Sequence, residues 1–123
     1  MGMSQTRVLN EAPFVTAKDD VVFDIPTDVE LPDSPEEILM LSVLEMQGLL
    51  RAGKLTATKL TEYALDALKK YDPEYNLLEV ELEDLAFSVA EEVDDLLEKG
   101  IYVSPIMGIP FAIKDTYDVK VCI

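Results

Sequence analysis

Ser104-Pro105-Ile106-Met107-Gly108-Ile109-Pro110-Phe111-Ala112-Ile113-Lys114-Asp115 is the stretch on which the fold class turns. Gly108 and Pro110 fix a tight backbone path into an apolar run, and Ile109 to Ile113 reads as a short buried strand. That strand delivers Lys114 at its end, next to Asp115. Burial at a strand end strips water from an ammonium group and favours the neutral amine, which is a competent general base. The bland alternative for the same side chain is to snorkel to the surface or to pair with Asp115.

Outward from this stretch, towards the N-terminus, the pattern is helical. Glu81 to Lys99 predicts the best helix of the chain, with Leu82, Leu85, Ala86, Val89, Val93, Leu96 and Leu97 on its apolar face and Gly100 as its stop. Most of its acidic residues, Asp94 among them, lie off that face and read as a solvated surface. Before it, Thr56 caps a helix that runs to about Tyr71, carries Leu60, Ala64, Ala67, Leu68 and Tyr71 on one stripe, and ends at Asp72-Pro73. Ser34-Pro35-Glu36-Glu37 starts a short helical turn, and Ser42-Val43-Leu44-Glu45 is a capping-box pattern opening a helix from about Val43 to Ala52, stopped by Gly53. Residues 1–33 show no sustained period and read as an extended arm or linker, with one short strand over Val21 to Pro26. The terminal strand has no partner unless this arm supplies one, and a lone strand leaves its backbone groups unpaired. Residues 34–123 therefore read as an incomplete domain.

Composition removes whole classes of chemistry. The 123 residues contain no histidine, which excludes Ser-His-Asp and Cys-His mechanisms and His-ligated metal sites. The single cysteine, Cys122, allows neither an intrachain disulfide nor a thiolate cluster. No metal or cofactor is expected. The five glycines are scattered, so no phosphate-cradling or nucleophile-exposing glycine loop is present. With 10 Lys+Arg against 25 Asp+Glu, the net charge is -15, a surface that repels nucleic acid and anionic lipid. No apolar run approaches the ~18 residues of a membrane span. No signal-peptide pattern is visible, which favours a cytoplasmic protein, and Met1-Gly2-Met3-Ser4-Gln5-Thr6 fits the permissive N-myristoylation pattern at Gly2.

Gly108-Ile109-Pro110, then Phe111-Ala112-Ile113, then Lys114-Asp115 resembles the amidase-signature family, which carries Gly-Ile-Pro, three mostly apolar residues and Lys-Asp ahead of a long Gly/Ser-rich signature. The context resembles it too: Gly53-Lys54-Leu55-Thr56 opens a helix, Tyr71-Asp72-Pro73 closes it near Asn76, and an acidic helix leads into the Gly-Ile-Pro. The similarity runs from about Leu41 to Val119. It implies a Ser–cis-Ser–Lys triad that hydrolyses a small-molecule amide through an acyl-enzyme, with Lys114 matching the catalytic lysine. It also implies an α/β parent fold, a mixed sheet covered by helices, to which this mostly α-helical chain contributes helices and one terminal strand.

Both family serines lie downstream of the lysine, beyond these 123 residues. Of the serines present, Ser34 and Ser42 are caps, Ser88 sits mid-helix, Ser104 precedes a proline, and Ser4 lies in the arm. The chain alone is expected to be inactive. After Asp118-Val119-Lys120 the family pattern breaks into Val121-Cys122-Ile123, whose codons are compatible with an intron's donor end; translated intron and genuine truncation are the two expectations. Two weaker patterns are set aside. Asp72, Glu74, Asn76 and Glu83 match calcium-loop positions, but Leu77 replaces the required glycine. Asp33-Ser34 invites comparison with a carrier-protein serine, but Pro35 follows directly. The rival reading is a small acidic helical module that binds a protein partner through exposed apolar helix faces.

Overall fold

Three hydroxyl side chains start three helices. The computed structural model describes residues 22–117. Ser34 is extended, and its Oγ accepts the Glu37 N–H at 3.2 Å to open α1, Pro35–Leu39. Ser42 opens α2, Val43–Arg51, through a reciprocal box: its Oγ accepts the Glu45 N–H at 3.3 Å, and Glu45 Oε2 accepts the Ser42 N–H at 2.8 Å. The Ser42 hydroxyl also donates to Glu45 at 2.6 Å. This hydroxyl, followed by the Ser42 backbone, holds the Glu45 carboxyl below its usual range. Thr56 opens α3, Ala57–Tyr75, by accepting the Lys59 N–H at 3.0 Å. The last helix among the described residues is α4, Glu83–Glu98, followed by Gly100 at φ 71°.

α3 does not stop at Asp72-Pro73 as its sequence suggests. Pro73 lies inside the helix, which continues to Tyr75. So near the C-terminus the proline removes one helical bond and little remains to be broken. The stop is Asn76, left-handed at φ 51°, whose N–H donates to the Asp72 carbonyl at 2.7 Å. Asp72 Oδ1 then accepts the Leu78 N–H at 2.7 Å and turns the chain towards α4.

α2 is the innermost element. Met46 to Leu50 is buried throughout, and Leu49 and Leu60 are fully enclosed. Residues 25–29 cross over α2 closely: a Cβ on Gly48 would collide with the Pro26 carbonyl oxygen, so only glycine fits. Val29 packs on the core, and Lys54 Nζ donates to the Val29 carbonyl at 2.7 Å.

The face of α4 differs from the expected stripe. Leu85 and Val89 are exposed, while Ala90 is buried and Val93 and Leu97 pack against the core. The rotation has a polar cause. Asp94 reaches the N-terminus of α3, where its carboxylate accepts Ala57 N–H at 2.6 Å, Thr58 N–H at 3.0 Å and the Thr58 hydroxyl at 2.6 Å. An anion on a helix's free N–H groups is stabilising, and Ala90, one turn before Asp94, lies on the same face and is turned inward with it.

The terminal strand is not formed. No strand is present among the described residues, neither over 109–113 nor over 22–26. Ile109 packs against the core, but Phe111 is 82 % exposed and Ile113 is exposed as well. No described segment lies alongside to accept its ladder bonds, and without them an apolar run gains nothing by extending as a strand. Val21, Gly2 and residues 118–123, with Cys122, lie outside the described residues. Among the described residues no helix is long and apolar enough to cross a membrane.

Candidate functional site

The approach to Lys114 is built on the helices at one point, the turn 104–109. Ser104 O accepts the Met107 N–H at 3.3 Å, and Ile106 O accepts the Ile109 N–H at 3.1 Å. Met107 is buried, and its carbonyl accepts Nε2 of Gln47 from α2. Gly108 follows at φ 78°, where α2, α3 and α4 meet: a Cβ there would lie 3.1 Å from Ala57 Cβ, 3.1 Å from Val93 Cγ1 and 3.4 Å from Leu50 Cδ1. The left-handed backbone and the lack of room both require glycine. The first half of the Gly-Ile-Pro motif is therefore a plug in the helical layer.

Past Ile109 the chain leaves that layer. Lys114 is exposed, its carbonyl accepts the Tyr117 N–H at 3.0 Å in a turn, and it forms no ion pair with Asp115 or any other described carboxylate. The dry strand end expected from the sequence is absent here, and Lys114 sits in water. None of the described serines faces it with a free hydroxyl in a turn suited to nucleophilic attack. Ser34 and Ser42 are occupied as caps, Ser88 is exposed on α4, and Ser104 Oγ accepts the Ile106 N–H at 3.3 Å. Among the described residues no group of three His, Cys, Asp or Glu side chains is placed to hold a metal. Asp72 turns the chain after α3, and Glu83 pairs with Lys69 at 2.7 Å.

Sequence reasoning misses two residues. It leaves Asp94 on a solvated face, although a place directly after Val93 and four residues beyond Ala90 puts it at the edge of the packed stripe. It passes over Gln47, which lies three residues from both Leu44 and Leu50 and so on the apolar side of α2. Gln47 is completely buried, and its Oε1 has no partner among the described residues. Burying an amide costs about 1–3 kcal/mol, and one neutral hydrogen bond returns about 1 kcal/mol. With only its Nε2 paired, the hydrogen bonding of Gln47 offsets only part of the cost of burying the amide.

Comparison with known proteins gives a consistent set of relatives. The chain is 30% identical over 82 residues to the A subunit of glutamyl-tRNA(Gln) amidotransferase from Anaplasma phagocytophilum, covering 67% of this chain and 16% of that protein. The same subunit from Dehalococcoides mccartyi is 29% identical over 84 residues, 68% of this chain and 17% of that protein. Its counterpart from Chloroflexus aurantiacus is 34% identical over 79 residues, 64% of this chain and 16% of that protein. No family model matches the chain. No solved structure matches it either. The chain thus spans about one sixth of the length of the curated relatives it matches. These relatives are amidase-signature enzymes, and the chain is their homologue, as the Gly108 to Asp115 segment foretold.

Proposed function

We propose that residues 34–123 are the N-terminal part of an amidase domain, preceded by an arm over residues 1–33, and that Lys114 is its general base. The parent fold would be α/β, with α1 to α4 in the layer covering a mixed sheet. In that setting the neutral amine of Lys114 takes a proton from a bridging serine, which takes one from the nucleophilic serine. The nucleophile attacks the carboxamide carbon, the amine leaves, and water hydrolyses the acyl-enzyme. The substrate class is a small-molecule amide; the names of the relatives point to amide transfer on glutamyl-tRNA(Gln). No nucleic acid contact is assigned to this acidic chain.

The observation that carries the reading is the anchored root with a free end. Gly108 is locked between three helices, yet Phe111 to Lys114 stands clear of them, as a strand awaiting neighbours would. The 123-residue chain alone would be inactive, because it holds no serine in a glycine-rich loop able to assemble an oxyanion hole. The test is to read the transcript past the codon for Lys120 and express what it encodes. A product with two serines in a Gly/Ser-rich stretch should release amine from carboxamides, and Lys114→Ala should abolish that release. Release that survives the substitution would overturn the assignment of Lys114, and lysine-dependent release by the 123-residue chain itself would overturn its inactivity.

Exposed Leu85 and Val89, one turn apart on α4, favour a second reading: a non-catalytic helical module that binds a protein. Such a module should be monodisperse and melt cooperatively alone.

A further inference from the structure

We infer that Gln47 is a positioning residue for the Lys114 segment, setting where the chain leaves the helices; this rests on the reading of Lys114 as the base. The amide is fully buried at the heart of α2, among residues that are otherwise apolar, and its Oε1 has no partner among the described residues. Its one bond spans 60 residues of sequence and goes to the carbonyl of Met107, the residue immediately before Gly108. A half-paired polar residue that breaks the core pattern is expected where function sets the requirement.

The geometry explains the requirement. Gly108 sits close to Ala57, Val93 and Leu50, and the carbonyl of the preceding Met107 is directed at the Gln47 amide inside the helical layer. Without a donor there, the carbonyl is a buried orphan, and the turn gains by rotating it towards water. Rotation at Met107 redirects everything after it, including Ile109 and the run to Lys114. Gln47 holds one exit direction against that alternative.

The experiment is residue-resolved amide hydrogen exchange on the 123-residue chain, comparing wild type with Gln47→Met, which keeps the side chain's length and removes the donor. Exchange at Met107 and Ile109 should accelerate by about tenfold, the size expected for one lost hydrogen bond. Exchange at Leu49 and Leu60 should stay unchanged or slow. Gln47→Leu, which also lacks the donor, should release the same two amides. Uniform acceleration through α2 and α3, or outright unfolding, would make Gln47 a support of the fold and overturn the proposal; so would no change at Met107 and Ile109. Lys114→Ala should leave all these rates untouched, so failure of the base assignment registers only in the amide-release test.

Discussion

Gly108 and Gly53 both adopt left-handed backbone, at φ 78° and 68°, but a Cβ on Gly53 would meet nothing within 4 Å. The pair separates conformational strain from crowding. Gly53→Ala should cost about 1 kcal/mol from backbone strain alone. Gly108→Ala adds contacts at 3.1 Å on Ala57 and Val93. Overpacking of that kind costs about 1–3 kcal/mol beyond the strain. Urea unfolding of the two variants checks the order; equal losses would mean that the 104–109 turn lifts off the helices freely. At this scale the sequence is readable where a residue's role is local. Ser34, Ser42 and Thr56 announce their caps within three residues. Gln47 and Asp94 act across 60 and 37 residues, and no local pattern reports a partner that distant.

Among the elements, α3 and α4 are joined by the Asp94 carboxylate on Ala57 and Thr58. Asp94→Ala leaves two backbone donors of α3 unpaired and should cost about 1–2 kcal/mol, the range of a lost N-cap. Asp94→Asn keeps one acceptor and should cost less; thermal unfolding ranks the two. The α2 start gives a pH prediction. The Glu45 carboxyl is held below its ordinary value of 4.5 by Ser42, so its contribution is fully present above that pH and is lost as pH falls through the lower folded value. Ser42→Ala should therefore flatten part of the stability loss below about pH 4.5 and leave the curve above it parallel to wild type. Helix starts are legible because caps are local chemistry. The end of α3 is not, because Asn76 and the Asp72 side chain together outweigh the bias before Pro73. The strand over 109–113 fails for a different reason: a strand is a pairing, and its own residues cannot supply the partner.

Across the whole molecule, the described core ends at Ile109. The buried apolar side chains come from α1 to α4, Leu55 of the 52–56 connection and Met107, whereas Phe111, Ile113 and Tyr117 are all exposed. The order of helices is readable from periodicity, and the place of the Gly-Ile-Pro motif at their meeting point is not, since it depends on three helices converging on one glycine. This arrangement predicts where the chain can be cut. A chain ending at Ile109 should match the thermal unfolding of a chain ending at Tyr117, because Phe111, Ile113 and Tyr117 are exposed and add no packing to the helices. A chain ending at Pro105 loses Met107 and uncovers Leu50 and Val93 where Gly108 sat. It also leaves the Gln47 amide buried with no acceptor, a cost of about 1–3 kcal/mol. Loss of a buried methionine adds about 2–5 kcal/mol, which is a large share of the stability of so small a domain. If instead the chain ending at Ile109 is the one that collapses, then residues 110–117 pack on the helices, and the free end on which the amidase reading depends is not free.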